Sequence, residues 1–390
     1  MDRTSASGGP ITLSVPPPGT IHRMNPQPVP SSGDSVLLSF WGMLVRWLIV
    51  LAATGMIVLA LAALSQSLRA VESGRTDALF SLATNPLAGL LTGLIITAVI
   101  QSSTTTTTVS IAAVASGTLP VAAAVPIIMG ANIGTSLTPC VVALGFIARR
   151  QEYTRAMTLA ATHVLVNAVL VCVLLPLELV AHPLERLAAA GSRALIPNPN
   201  QELSSATYVA TFLQPAMGRL FGAAAARGVP VWAAAVAVAV GAAVVLLLCL
   251  WLLRAQLQVL LAARQHLLFE HSTSTADGVS FVIAGTLTAL IHSSTAVVGS
   301  MTPAAATGLL SPRAALPMVL GANVGTTLTP LVAIVAVPGQ YSQFALEAAL
   351  IHLLFNLCGA LLFMPTRAPG RALLAAAEAI AGRGFRRRGE

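Results

Sequence analysis

Between Asn85 and Ala148 the chain carries no Asp, Glu, Lys, Arg or His. An uncharged run of that length does not belong to an ordinary soluble domain, where roughly a quarter of residues are charged. The rest of the chain agrees. Of 390 residues, 56% are hydrophobic and 9% charged, and the mean hydropathy is +0.83. The stretch 47–64, WLIVLAATGMIVLALAAL, is free of charge. As a helix it would be about 27 Å long, against a hydrocarbon core of roughly 30 Å. Similar segments recur at 156–181, 229–253 and 344–364. The expected fold class is therefore an all-α polytopic membrane protein. A membrane-buried chain has to account for the polar run QSSTTTTT at 101–108, which sits between ITAVI and VSIAAVA.

An internal repeat supplies part of that account. GANIGTSLTP at 130–139 returns as GANVGTTLTP at 321–330, with eight of ten positions identical and an offset of 191. The same offset pairs Ser102, Ser103 and Thr104 with Ser293, Ser294 and Thr295, Gln101 with His292, Gly117 with Gly308, and Pro126 with Pro317. HVLVN at 163–167 returns as HLLFN at 352–356, now at offset 189. Several motifs in one register cannot come from low complexity. The loops before the HxLxN motifs differ in charge: RRQEYTR at 149–155 has three Arg, and PGQYSQ at 338–343 has none. Basic loops stay cytoplasmic, so the equivalent loops are expected on opposite sides and the repeats inverted in topology, as in many secondary transporters.

This gives an expected layout. Residues 1–35, rich in Pro, Ser and Gly, read as a disordered tail rather than a cleaved leader. A first transmembrane helix spans 36–65. Repeat 1 covers 85–181, with a re-entrant helical hairpin at 85–117, a broken transmembrane helix at 119–148 and a helix at 156–181. Residues 182–228 form an extracytoplasmic connection, partly as interfacial helices, and 229–260 a further transmembrane helix. Repeat 2 covers 277–365, with a hairpin at 279–308, a broken helix at 313–337 and a helix at 344–364. The tail 366–390 contains Arg367, Arg371, Arg383, Arg386, Arg387 and Arg388. The chain has no Lys. The tail reads as a cytoplasmic anchor facing anionic membrane lipid. It offers no groove-sized basic surface, so a nucleic-acid partner is not expected. Cys140, Cys172, Cys249 and Cys358 lie in apolar segments without CxxC spacing and read as packing residues.

The repeated polar motifs carry the chemistry. A lone Ser pair in a membrane helix usually bonds back to the preceding turn, and Thr106, Thr107 and Thr108 fit that reading. A Ser-Ser-Thr duplicated in register, each copy followed by Gly-Ala-Asn-x-Gly-Thr, points to function. Irregular backbone at membrane depth survives only inside protein or beside a wet cavity. The glycines of GANIGTS suggest a helix broken at mid-membrane. Free amide ends with hydroxyls favour anions, and free carbonyls favour hard cations. His163/Asn167 and His352/Asn356 are i,i+4 pairs on one face, expected as an interhelical structural clamp. Burying a multivalent anion requires compensating charge. No Arg or Lys neighbours either Ser-Ser-Thr in sequence, so co-bound cations are the expected compensation.

These motifs resemble the type II sodium-dependent phosphate cotransporter family, in a prokaryotic-type member, over roughly 85–180 and 277–365. The family is similar in its paired Q-S-S-S-type motifs, each followed by a G-A-N-I-G-T-type motif on inverted repeats. The resemblance implies sodium-coupled symport of inorganic phosphate by alternating access. It implies sodium as coupling ion, no organic cofactor, no enzyme activity, and a multi-pass protein of the plasma or inner membrane with both termini cytoplasmic, working as a monomer or homodimer. Carried over by position, Gln101, Ser102, Ser103, Thr104, His292, Ser293, Ser294 and Thr295 would bind phosphate. Ser103, Asn132, Thr135, Ser136, Ser294, Asn323, Thr326 and Thr327 would bind sodium. The chain departs from the family pattern at Thr104 and Thr295 (a third Ser), at His292 (a second Gln), and at Val164, where charge-moving relatives carry an acidic residue. The rival expectations are another oxyanion or proton coupling on the same fold, and a channel-like or lipid-handling membrane protein. Clustered carboxylates, HExxH, GxSxG and P-loop patterns are all absent from the sequence.

Overall fold

The computed structural model describes residues 32–71, 85–196, 204–273, 276–334, 342–364 and 368–386. Residues 1–31 of the expected tail 1–35, and most of loop 338–343, lie outside them, while residues 32–35 are helical and correct the end of that tail. The described residues form helices: α1 (Ser32–Ala70), α2 (Pro86–Ile100), α3 (Ser103–Ala115), α4 (Val121–Leu144), α5 (Arg150–Ala181), α6 (Pro183–Leu195), α7 (Ser204–Ala226), α8 (Val231–Thr273), α9 (Asp277–Ile291), α10 (Ser294–Thr307), α11 (Pro312–Thr326), α12 (Leu328–Ala333), α13 (Ser342–Phe363) and α14 (Ala368–Arg386). The residues up to Leu44 form one unit, of which the first turns of α1 are described, and Val45–Glu390 the other. Both repeats, with all their helices, lie in the second unit.

Among the described residues, six segments are long and apolar enough to cross a membrane: Trp41–Ala70, Val121–Leu144, Arg150–Ala181, Val231–Leu260, Pro312–Val332 and Ser342–Phe363. α2 and α9 are apolar but shorter. The chain is an all-α polytopic membrane protein. In lipid, apolar burial alone does little to drive helices together, so close packing must do more of it. The helix contacts reflect this. A Cβ on Gly130 of α4 would overlap the Leu90 carbonyl of α2, and one on Gly321 of α11 would overlap the Phe281 carbonyl of α9. These contacts are 191 residues apart. Gly134 against Leu94 and Gly325 against Gly285 repeat the relation one turn on. Contacts advance along both helices of each pair in the same direction, so α2 runs parallel to α4 and α9 to α11. The helix between them, α3 or α10, therefore returns.

The glycines of GANIGTS thus serve close approach, which corrects the expectation of a broken helix there. α4 is continuous from Val121 to Leu144, with Pro126 and Pro139 inside it. In the second repeat the helix is interrupted, among the described residues, at Thr327, between α11 and α12. Pro330 lies three residues further on and lacks the amide that would continue the ladder. RRQEYTR is also largely helical, because α5 begins at Arg150.

The bases of the two hairpins lie at opposite ends of α5. Pro86 and Pro120, beside the first hairpin, line a cavity with Glu178 and His182 at the C-terminal end of α5. Gly308, which ends α10, sits against the Arg155 guanidinium near the N-terminal end. Arg155 and Glu178 are roughly 35 Å apart by the helical rise. The amphipathic helices α6 and α14 share a pattern: Leu184, Ala188 and Ser192 are buried in one, Leu373, Ala377 and Ala381 in the other. These positions are 189 residues apart, so the second register continues beyond HxLxN. α6 packs on α13, and α14 on α5.

Candidate binding site at the hairpin tips

Each hairpin turns through two residues. Gln101 and His292 adopt the left-handed conformation, with φ 55° and 58°. For a residue with a Cβ this costs roughly 1–2 kcal/mol. Ser102 and Ser293 then extend (φ −150°, ψ 96° and φ −156°, ψ 104°) and cap the helices that follow. The Ser102 hydroxyl accepts from the Thr105 amide at 3.1 Å, and that of Ser293 from the Ala296 amide at 3.2 Å. Identical caps at a 191-residue spacing explain why the Ser-Ser-Thr pattern recurs. The first Ser caps, and the next two residues present the free amides of a helix N-terminus.

The two tips meet. Thr104 Oγ1 donates to the His292 carbonyl and Thr295 Oγ1 to the Gln101 carbonyl, each at 3.5 Å. The pair is reciprocal under the 191 offset. Two helix N-termini, α3 and α10, and two helix C-termini, α2 and α9, converge here. The former favour negative charge, the latter positive. Ser102, Ser103, Thr104, Ser293 and Ser294 are buried, Thr295 and His292 partly so, and Gln101 is exposed. The Gln101 side chain makes no hydrogen bond among the described residues. His292 Nδ1 lies 2.7 Å from Thr329 Oγ1.

One cation does reach the tip, which corrects the charge balance expected from sequence. Arg254, on α8, donates from Nη2 to Ser102 Oγ. Its Nε is buried without a hydrogen-bond partner. Ser102 also lies 2.7 Å from Thr105 Oγ1, so its one donor and two acceptors are all engaged. Arg254 is 152 residues from Ser102 and outside both repeats. Nothing in local sequence marks it except an Arg following a long apolar run.

The other threonines of the run divide by partner. Thr106 and Thr107 donate back to the carbonyls of Ser102 and Ser103, as expected. Thr97 of α2 also donates to Thr106 at 2.8 Å, tying the hairpin arms. In the second repeat Val297 stands at the Thr106 position, and Thr288 Oγ1 is left without a partner. Thr108 Oγ1 has none either.

Of the residues expected to hold sodium, Thr135, Ser136, Thr326 and Thr327 donate to carbonyls three or four residues back at 3.0, 2.6, 2.9 and 2.7 Å. Their hydrogens are committed, while oxygen lone pairs stay free to face a cation. Asn132 and Asn323 join the His/Asn pairs instead. His163 Nε2 lies 2.9 Å from Asn323 Oδ1, and Asn323 Nδ2 donates to Asn167 Oδ1 at 3.2 Å. Asn356 Nδ2 donates to Asn132 Oδ1 at 3.2 Å. The bonds run between the repeats in both directions. They are not equal, because neither ring nitrogen of His352 has a partner.

Residues 56–189 and 245–385 match the Na+/Pi-cotransporter family profile. The chain is 30% identical over 353 residues to sodium-dependent phosphate transport protein 2A of Mus musculus, covering 74% of this chain and 55% of the relative. It is 30% identical over 376 residues to protein 2B of Bos taurus, with coverage of 75% and 54%. It is 27% identical over 423 residues to protein 2B of Homo sapiens, with coverage of 86% and 61%. The chain thus spans little more than half the length of these relatives. No solved structure matches. The matched segments contain both hairpin tips, the inter-repeat His/Asn network and Arg254, and the chain belongs to the Na+/Pi-cotransporter family.

Proposed function

We propose that this chain is a sodium-coupled symporter of inorganic phosphate, working by alternating access in the plasma or inner membrane with both termini cytoplasmic. The observation that carries the reading is the Arg254 guanidinium at the meeting of two helix N-termini, with a buried Nε lacking an acceptor. A buried, unanswered guanidinium donor asks for an oxyanion, and planar forked donors suit phosphate. Amides at Ser103, Thr104, Ser294 and Thr295, with the tip hydroxyls, would hold the remaining phosphate oxygens. Gln101, which is exposed, and His292 would border the site.

One fixed guanidinium and the positive ends of α3 and α10 would nominally match a divalent anion, but the negative ends of α2 and α9 meet at the same place and cancel the helix share, which leaves about one charge of the buried anion uncompensated. Sodium would complete the balance, held by lone pairs of Ser103, Thr135, Ser136, Ser294, Thr326 and Thr327 and by the carbonyl ends of α2 and α9. The relatives' names point to the same two solutes. The role is transport and not catalysis. The His163/Asn167 and His352/Asn356 pairs would steady the repeats against each other.

The test is phosphate uptake by Arg254 variants in proteoliposomes. Arg254→Gln should raise the half-saturating phosphate concentration by roughly tenfold or more, the worth of a charge-assisted hydrogen bond. Arg254→Lys should recover part of it. An unchanged half-saturation in Arg254→Gln would remove the residue from the site.

A further inference from the structure

Beside the base of the first hairpin, about 20 Å from its tip by helical rise, lies a second cavity of about 330 Å³. Val114 and Gly117 of the α3 end, Phe344 and Glu347 of α13, and Glu185 of α6 line it. Glu347 is only 7% exposed, yet among the described residues it has no hydrogen bond or ion pair. The charges of Glu185 and Arg193, both on α6, act on it, and Arg193 makes no ion pair with it. Glu185 turns partly to His182, 3.3 Å away. The neighbouring Glu178 is already satisfied, because its carboxylate accepts from the Leu184 and Glu185 amides at 2.8 and 2.9 Å. The carbonyl end of α3 also faces this region, where Arg69 of α1 donates to the Ala115 carbonyl at 2.6 Å.

A carboxylate on a largely enclosed residue that opens onto such a cavity is normally paired or bound to a cation. The site also breaks the repeat symmetry. At offset 189, Glu347 corresponds to Thr158, which bonds back to Thr154 at 2.8 Å, and Phe344 corresponds to Arg155, which lies against Gly308. The position that carries a hydroxyl in the first repeat thus carries a carboxylate in the second, and the position that carries a guanidinium carries an aromatic ring.

We propose that Glu347 and Glu185 form a monovalent-cation site in this cavity, separate from the hairpin-tip site. The choice of sodium as probe rests on the transport reading; the site itself rests on the unpartnered carboxylate and its cavity.

The test uses the full chain in detergent without phosphate, titrated with sodium chloride against choline chloride at constant ionic strength while the thermal unfolding midpoint is followed. Potassium chloride forms a parallel arm. Wild type should be stabilised saturably by sodium or potassium. Glu347→Gln should raise the half-saturating concentration roughly tenfold, as expected for losing one charge partner at low effective dielectric. Glu185→Gln should shift it in the same direction, and it decides the matter if Glu347→Gln does not fold. A wild type indifferent to both cations, or variants with unchanged half-saturation, overturns the site. Failure of wild-type sodium-driven phosphate uptake, with the thermal response intact, would instead remove the transport reading and leave this site standing.

Discussion

His163 and His352 occupy equivalent places but stand in different circumstances. His163 bonds Asn323 across the repeat boundary, and His352 has no partner. His163→Ala would strand a buried Asn323 oxygen, at about 1–3 kcal/mol for the unmet group, added to the loss of packing. His352→Ala would lose packing alone. Thermal unfolding of the two variants should therefore rank His163→Ala as the less stable, and equal midpoints would show that the bond contributes nothing. The sequence makes these residues legible as a pair of clamps, because residue type and spacing are duplicated. It does not disclose that each clamp reaches into the other repeat, since a fixed offset says which positions are equivalent and nothing about which ones touch. Arg254 is invisible in the sequence for a related reason. It has no repeat partner, and its approach to Ser102 depends on how α8 packs.

The helix pairs α2–α4 and α9–α11 are joined at glycines, and the backbone itself is the contact surface. Gly130→Ala and Gly321→Ala each place a Cβ on a carbonyl oxygen of the facing helix. The expected cost is about 1–3 kcal/mol, read as a lowered unfolding midpoint. Gly241→Ala is the control: it has nothing within 4 Å, and Ala is the better helix former by up to about 1 kcal/mol. A midpoint for Gly130→Ala at or above that of Gly241→Ala would contradict this packing. The same residues show why the sequence suggests a break that α4 does not have. Glycine within an apolar helix signals either a break or a close neighbour, and only the neighbour's position decides. Pro330 removes one amide beside the interruption at Thr327. Its counterpart Pro139 sits inside a continuous α4, so proline alone is not a sufficient signal either.

At the scale of the whole molecule, two hairpins start from opposite ends of α5 and meet at their tips through reciprocal Thr104 and Thr295 contacts. Hairpin bases at opposite ends of α5 are what repeat register and loop charge lead one to expect, because both are properties of the chain. Charge at the tip is not legible in the sequence, because it arrives from outside the repeats. A site built of two equivalent tips makes a strong demand: loss of either should impair transport. Ser103 and Ser294 stand first in α3 and α10 and are buried. The direct measurement is labelled phosphate uptake into proteoliposomes, with an inward sodium gradient or with choline replacing sodium. Wild type, Ser103→Ala and Ser294→Ala would be compared at equal reconstituted protein. A two-tip sodium–phosphate site predicts sodium-dependent, saturable uptake by wild type. In both variants it predicts a loss of roughly tenfold or more in uptake at low phosphate, the worth of one hydrogen bond to a charged group. Equal uptake in sodium and choline, or wild-type kinetics in either variant, would contradict it.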